Sequence, residues 1–247
     1  MDRLIYVAMS GAKQTLNQQA AVSHNLANVS TNGFRAQSSA FRAVQVLGEG
    51  APTRAFVVDS TPGADFTPGA IQHTGRSLDV AVQDRGWIAV QAPDGSEAYT
   101  RNGALKLTAN GVLETSGGHA VIGDAGPIAI PADTLVTIAG DGTVSTVQSG
   151  TRPAASTAVG RIKLVNPPEA SLERGDDGLF RVRGGAQASA DGNVRIVSGS
   201  LEASNVNVVD SMVSMIALAR QFDMQIKMLQ NAEANSRAAA QLLTVQG

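Results

Sequence analysis

The distribution of proline and glycine divides this chain of 247 residues into three regions and limits the folds it can adopt. All nine prolines lie within residues 30–204, together with nearly all of the glycines. Residues 1–29 contain no proline and one glycine, Gly11, while residues 205–247 contain glycine only at the last position. Because proline breaks helix interiors and glycine weakens them, both ends are predicted to be helical and the middle is not.

Both ends also carry the apolar spacing of amphipathic helices. The first helix has an apolar stripe from Leu4 to Leu26 and is predicted to end near residues 28–29, before Gly33. The second is predicted to span about 38 residues, with Asn205 or Asn207 as its N-cap. Neither helix can bury its stripe alone. We therefore expect the two helices to pair as a coiled coil and to pack against helices of other subunits.

The middle of the chain has the features of β-hairpins. Turn pairs such as Asp94-Gly95 and Asp141-Gly142 recur at short intervals, separated by short β-type runs such as Leu78–Val82. This spacing is typical of an antiparallel β domain, and no helical pattern alternates with the runs. The predicted fold class is α+β, with long N- and C-terminal helices paired as a coiled coil and a central, mostly antiparallel β domain.

These patterns predict four segments. Residues 1–35 form the N-terminal helix of a helical domain, and residues 204–247 form its C-terminal helix. Residues 71–203 form the central β domain. Residues 36–70, which prolines punctuate, are predicted to be an extended or irregular connector.

Charge and composition exclude several classes of protein. The net charge is -2, from 19 Lys+Arg against 21 Asp+Glu, so the cationic surplus of a nucleic-acid binder is missing. The chain has no cysteine, which excludes disulfides and thiolate metal sites. No apolar run reaches the roughly 20 residues of a membrane-spanning helix, and the first residues are not typical of a cleaved secretory leader. We expect neither a nucleic-acid partner nor a lipid-spanning segment.

Side chains that carry catalysis are sparse. The three histidines, His24, His73 and His119, stand in no metal-binding or catalytic pattern. Acidic residues beside glycines are better explained as hairpin turns than as calcium loops. Trp87 lies in an alternating run and is predicted to be a core residue. The sequence therefore predicts no catalytic residue, no cofactor and no metal site, and indicates a non-enzymatic protein that oligomerises.

Several motifs resemble those of bacterial flagellar rod and hook proteins. The segment HNLANVSTNGFR, at residues 24–35, resembles their N-terminal signature, and residues 204–207 begin their C-terminal signature. The matching segments are residues 1–6, 9–12, 24–35, 74–82, 99–103, 111–113, 204–207, 212–216 and 220–225. The opening residues are similar to those of proximal rod members of the family. Two positions depart from the pattern: Asp84-Arg85 stands where relatives often carry glycine, and Asn32 where many carry proline.

The resemblance implies a structural role. Proteins of this family cross the inner membrane through the flagellar type III export apparatus, without a cleaved leader, and assemble into the rod that spans the periplasm. The chain is then expected in the basal body as a proximal rod subunit. It would polymerise through its terminal helices into the drive shaft that transmits torque for motility. Its partners would be other copies of itself, related proximal and distal rod proteins, and the export apparatus.

The resemblance and the apolar stripes together place the contacts between subunits on the terminal helices and the signature motifs. The predicted interface residues are Leu4, Leu16, Asn25, Leu26, Asn28, Gly33, Phe34, Asn205, Val206, Val209, Met212, Val213, Ile216, Phe222, Ile226, Leu229, Leu242 and Leu243.

Three alternatives stay open on the sequence alone. The chain could be a distal rod or hook-type subunit of the same family. It could be an extracellular β-rich binding or hydrolytic domain, whose activity would survive loss of both helices. It could also be a cytoplasmic coiled-coil scaffold, which would self-associate without export.

Overall fold

The computed structural model describes residues 2–45, 55–148 and 156–245. These residues form two long helices, one short 3-10 helix and eighteen strands, and every strand pair among them is antiparallel. The predicted α+β class with an antiparallel middle is confirmed. The chain divides into two compact units. The first comprises Met1–Asn28, Ala36–Asp65 and Val206–Gly247, and the second comprises Val29–Arg35 and Phe66–Asn205.

Helix α1 spans Asp2–Ala27 and ends where the sequence predicted. The backbone N–H of Asn28 closes the last turn onto His24 O at 3.2 Å. Gly33 follows with a φ of 68°, in the left-handed region that glycine adopts without strain.

Helix α2 spans Val208–Val245, and its 38 residues match the predicted length. Asn207 caps it, because its Oδ1 accepts hydrogen bonds from the N–H groups of Val209 at 3.0 Å and Asp210 at 3.3 Å. Asp210 in the first turn adds a favourable interaction with the helix dipole. Of the two asparagines predicted as the cap, Asn207 is therefore the one that serves.

Helices α1 and α2 contact each other within the first unit. On each helix, a row of residues in alternating steps of three and four is buried or partly buried. We call these two rows the seam. It consists of Ile5, Ala8, Ala12, Thr15, Gln19, Val22 and Leu26 on α1, and of Met215, Leu218, Phe222, Gln225, Leu229 and Ala232 on α2.

A hairpin completes the first unit. Strands β1, Gln37–Gln45, and β2, Ala55–Ala64, pair in antiparallel fashion, and both contact α1. Asn25 fixes the start of β1, because its Nδ2 donates to Gln37 O at 2.9 Å and its Oδ1 accepts from Gln37 N at 2.7 Å. The segment is thus more regular than the extended or irregular connector predicted for residues 36–70.

The second unit contains the remaining strands. They are β3 (Ile71–His73), β4 (Val80–Val82), β5 (Trp87–Gln91), β6 (Glu97–Thr100), β7 (Leu105–Leu107), β8 (Leu113–Thr115), β9 (Ile122–Gly123), β10 (Gly126–Pro127), β11 (Thr134–Ile138), β12 (Thr143–Gln148), β13 (Ser156–Arg161), β14 (Leu164–Val165), β15 (Leu172–Arg174), β16 (Phe180–Val182), β17 (Ile196–Ser198) and β18 (Ser200–Glu202). The largest sheet has the order β14-β5-β6-β16-β15, and a second has the order β11-β12-β13. The other strands pair as β3–β18, β4–β17, β7–β8 and β9–β10. The 3-10 helix, Glu169–Ser171, precedes β15.

Aliphatic side chains fill the core of the second unit, among them Val80, Ile88 and Leu113. Trp87 is 4% exposed, and its ring centroid lies 4.7 Å from that of Phe180. The prediction that Trp87 is a core residue is therefore confirmed.

Candidate assembly surface and a buried charge cluster

Both helices expose a second row of apolar side chains, away from the seam. We call it the outer stripe. It consists of Tyr6, Met9 and Leu16 on α1, and of Val209, Met212, Val213, Ile216, Met224 and Met228 on α2, with exposed fractions from 48% to 68%. On α2 the row is apolar from Val209 to Ile216, and steps of four residues lead from Ile216 past the charged Arg220 to Met224 and Met228. Exposed apolar side chains grouped in this way mark a surface that another protein covers.

The structure divides the predicted interface residues of the two helices into two groups. Leu16, Val209, Met212, Val213 and Ile216 belong to the outer stripe. Leu26, Phe222, Ile226 and Leu229 are partly buried within the first unit. Leu4, Leu242 and Leu243 have helical backbones, but their side chains lie outside the described residues. The sequence suggested one apolar stripe on α2. In the structure its residues lie on two faces of the helix, one exposed and one partly buried.

The predicted asparagines make contacts inside the chain. Asn25 holds the start of β1, as described above, and Asn28 Nδ2 donates to His24 O at 2.9 Å. In the second unit, Asn205 Nδ2 donates to Thr67 O at 3.0 Å. Val206 is partly buried. A role for these four residues between subunits stays a prediction.

Gly33 and Phe34 are buried in the second unit. A Cβ atom at Gly33 would stand 2.2 Å from the backbone carbon of Arg101, so no other residue fits there without movement. The Gly33 N–H donates to Glu202 O at 2.7 Å. The guanidinium of Arg174 lies 4.4 Å from the ring centroid of Phe34. These contacts give both residues a structural function in the isolated chain, and their predicted contacts with other subunits stay untested.

Beside them lies a buried cluster of three charged side chains. Glu202 Oε1 is 2.7 Å from Arg35 Nη2, and Glu202 Oε2 accepts a hydrogen bond from Arg101 Nη1 at 2.9 Å. The side chains of Arg35 and Glu202 are each 1% exposed, and that of Arg101 is 4% exposed. Gly69 N also donates to Glu202 Oε1, at 2.9 Å. One carboxylate thus joins three segments of the chain, each at least 101 residues from Glu202 in sequence.

The cluster contains two cations and one anion. Burial lowers the pKa of Arg101, the Glu202 carboxylate opposes this shift, and the Arg35 charge adds to it. Arg101 also lies 5.6 Å from the ring centroid of Trp87, and its Nη2 donates to Asp84 O at 2.5 Å. Asp84 has a φ of 48°, in the left-handed region. Glu202 therefore pairs with both buried guanidinium groups, and the Asp84 charge also favours the charged form of Arg101.

The sequence patterns did not identify five residues that the structure places in the outer stripe or the charge cluster: Tyr6, Met9, Met224, Met228 and Glu202. The first four do fit an exposed helical row, but nothing in one sequence distinguishes the outer row from the seam. Glu202 had no sequence signal, because its partners are remote in the chain.

Other chemistry is limited in the part of the chain that the structure describes. Within residues 2–45, 55–148 and 156–245, no group of three or more His, Cys, Asp or Glu side chains is placed to hold a metal ion. No helix in these ranges is long and apolar enough to cross a membrane. Tyr99 has its pKa raised to about 12, mainly by burial; its hydroxyl donates to Glu97 Oε1 at 3.0 Å and accepts from Ala188 N at 2.7 Å.

Known protein families match three parts of the chain. The family described as "Flagella basal body rod protein" matches residues 5–35. The family "Flagellar hook protein FlgE/F/G D1 domain" matches residues 81–146. The family "Flagellar basal body rod FlgEFG protein C-terminal" matches residues 197–242. The three matches include most of α1, part of the second unit and most of α2.

Individual relatives are similar over nearly the full length. The flagellar basal-body rod protein FlgF of Escherichia coli (strain K12) is 51% identical over 251 residues, which cover 99% of this chain and 100% of that protein. FlgF of Caulobacter vibrioides is 34% identical over 98% of each chain. The flagellar basal-body rod protein FlgG of Buchnera aphidicola subsp. Acyrthosiphon pisum is 30% identical, over 96% of this chain and 98% of that protein.

Proposed function

The chain belongs to the flagellar basal-body rod protein family, and we propose that it is a proximal rod subunit that assembles through its terminal helices. It is a structural protein of the flagellar basal body, close to FlgF. Identity of 51% to a FlgF protein, against 30% to a FlgG protein, favours the proximal position over the distal one. The observation that carries the assembly mechanism is the outer stripe, which the folded chain leaves exposed.

The outer stripe supplies a driving force for assembly. Burying a large apolar side chain from full exposure contributes roughly 1.5–3 kcal/mol, and about half of each stripe residue is exposed. Each residue then contributes on the order of 1 kcal/mol when a neighbour covers it. Association costs roughly 4–15 kcal/mol, which is similar to the sum over the stripe. A subunit therefore binds stably only where several neighbours cover the stripe together, as at the end of a growing rod.

The seam holds each subunit's own helices together. Alternating steps of three and four residues on both helices are the pattern of coiled-coil pairs, and we assign this geometry to α1 and α2. Small residues such as Ala8 and Ala12 on α1 permit close approach of the helix axes. In this arrangement the seam stabilises the subunit, and the outer stripe remains for its neighbours.

The partners follow from this division. We propose that the outer stripe contacts a different surface of the next subunit with a rotation that does not close into a ring, because such contacts build a helical rod. We propose that neighbours are further copies of this chain and related rod proteins, and that the export apparatus delivers the subunit. The proposed role of the chain is mechanical, because the assembled rod transmits torque for motility. We assign no catalysis to the chain.

Substitution within the stripe tests the proposal. Ile216→Asp places a charge at an exposed position, so the free subunit folds, but the charge is buried in the rod. Rod assembly and motility are expected to fail in cells that carry this variant as their only copy. Gln230→Asp, at an exposed polar position of the same helix, is the matched control and is expected to assemble normally. Normal basal bodies with Ile216→Asp would refute assembly through this stripe.

A further inference from the structure

A polar contact interrupts the seam between α1 and α2. Thr15 is 2% exposed, and its hydroxyl lies 3.2 Å from Gln225 Oε1 and 3.0 Å from Gly11 O. The hydroxyl has one proton, which these two oxygens share. Thr15 and Gln225 are therefore joined to each other across the seam, while most other seam positions carry apolar side chains.

Gly11 provides the space for this contact. It lies in the middle of α1, where glycine weakens a helix. A Cβ atom at Gly11 would stand 3.2 Å from Gln225 Nε2, closer than ordinary van der Waals contact. The absence of a side chain at Gly11 thus leaves a recess that the Gln225 amide fills.

We infer that Thr15, Gln225 and Gly11 set the register of the two terminal helices. A polar pair inside an apolar seam specifies register because only one alignment brings the Gln225 amide to both the Thr15 hydroxyl and the recess at Gly11. The inference rests on the helix pairing proposed above. The new element is that α1 and α2 pair in a single alignment, which these three residues determine.

The neighbouring alignments show why the contact is selective. If α1 slipped by seven residues, Gln225 would meet Ala8 or Val22, and neither offers a hydroxyl. If α2 slipped by seven residues, Thr15 would face Leu218 or Ala232, and neither offers an acceptor in its side chain. A slip of four residues would bring Gln19 opposite Gln225, but Thr15, not glycine, stands four residues before Gln19. Each of these slipped alignments therefore separates the Gln225 amide from both the Thr15 hydroxyl and the recess at Gly11.

Distance measurements between spin labels test this inference directly. Because the chain has no cysteine, Lys13→Cys and Lys227→Cys provide the only labelling sites, and both positions are exposed. Pulsed electron–electron double resonance on the purified full-length chain is expected to give one narrow peak for the distance between the two spin labels. Adding Gln225→Leu or Thr15→Val is expected to at least double the peak width or to produce a second peak, with helicity by circular dichroism retained.

Two controls separate register from stability. Gln230→Leu makes the same substitution at an exposed position of α2, and Thr15→Ser keeps the hydroxyl; both are expected to retain the narrow peak. A narrow peak with Gln225→Leu and Thr15→Val, or equal broadening with Thr15→Ser, would overturn the inference. A broad peak in the labelled chain without these substitutions would overturn it as well. These outcomes are independent of the Ile216→Asp test, which reports on assembly in cells.

Discussion

Replacing Glu202 with glutamine is expected to destabilise the second unit by about 3–5 kcal/mol, which is typical of removing one partner from a buried ion pair. Glutamine keeps the shape of the side chain and can still accept from Gly69 N. It removes the carboxylate that pairs with both Arg35 and Arg101, so two nearly unexposed guanidinium groups lose that ion pair. The whole cost therefore comes from electrostatics and not from a cavity.

Urea unfolding followed by tryptophan fluorescence measures this cost. Trp87 is the only tryptophan in the chain and lies 5.6 Å from Arg101, so its emission reports on the second unit. With a slope of roughly 2 kcal/mol per molar urea, the midpoint is expected to fall by about 1.5–2.5 M.

The exposed pair of Glu173 and Arg183 supplies the matched control. Its N–O distance is 3.9 Å and both side chains are more than 60% exposed, so Glu173→Gln is expected to change the stability by less than about 1 kcal/mol. Equal midpoints for Glu202→Gln and Glu173→Gln would refute the view that Glu202 holds the buried cations.

Three further predictions concern local features. Gly33→Ala is expected to destabilise the second unit by about 3 kcal/mol or more in the same urea assay, because the methyl group meets the Arg101 backbone and the φ is positive. An unchanged urea midpoint would contradict the close approach of Gly33 to the Arg101 backbone. Asn207→Ala is expected to cost about 1 kcal/mol of helix stability, seen as earlier thermal loss of helical circular dichroism; identical melting curves would show that the cap is dispensable. The folded state raises the pKa of Tyr99 to about 12, so stability is full below about pH 10 and falls as the pH rises towards 12. Absorbance titration should show a tyrosine that ionises near 12 only in the folded chain, and Tyr99→Phe should reduce the alkaline loss of stability.

Much of the fold could be predicted from local sequence patterns. Helix α2 was predicted at its observed length because proline and glycine are missing from it and its apolar spacing is helical. The cap was predicted as Asn205 or Asn207 because an asparagine oxygen at the start of a helix can accept from its free N–H groups, and the structure shows that Asn207 serves. Gly33 was recognisable as a position able to take a positive φ because it lies in the turn segment that follows the first helix. In each case the controlling interaction lies within a few residues of the chain.

Features that depend on remote contacts could not be predicted in this way. Arg35, Arg101 and Glu202 meet only after the second unit has folded, and each resembles an ordinary surface charge in the sequence. The hairpin of β1 and β2 depends on pairing across residues whose prolines suggest irregular structure. The division of α2 into a seam and an outer stripe depends on where α1 packs, because both faces of α2 are apolar.

The central claim is that neighbouring subunits cover the outer stripe in the assembled rod, and maleimide labelling tests it most directly. Because the chain has no cysteine, Ile216→Cys gives one reactive thiol on the stripe, and Leu135→Cys gives one on an exposed strand of the second unit. We predict that Ile216→Cys reacts readily in the purified subunit and is protected at least tenfold in intact basal bodies. Equal labelling of Ile216→Cys in free subunits and in intact basal bodies would contradict the account. The Leu135→Cys variant, labelled in parallel, shows that the reagent reaches the rod.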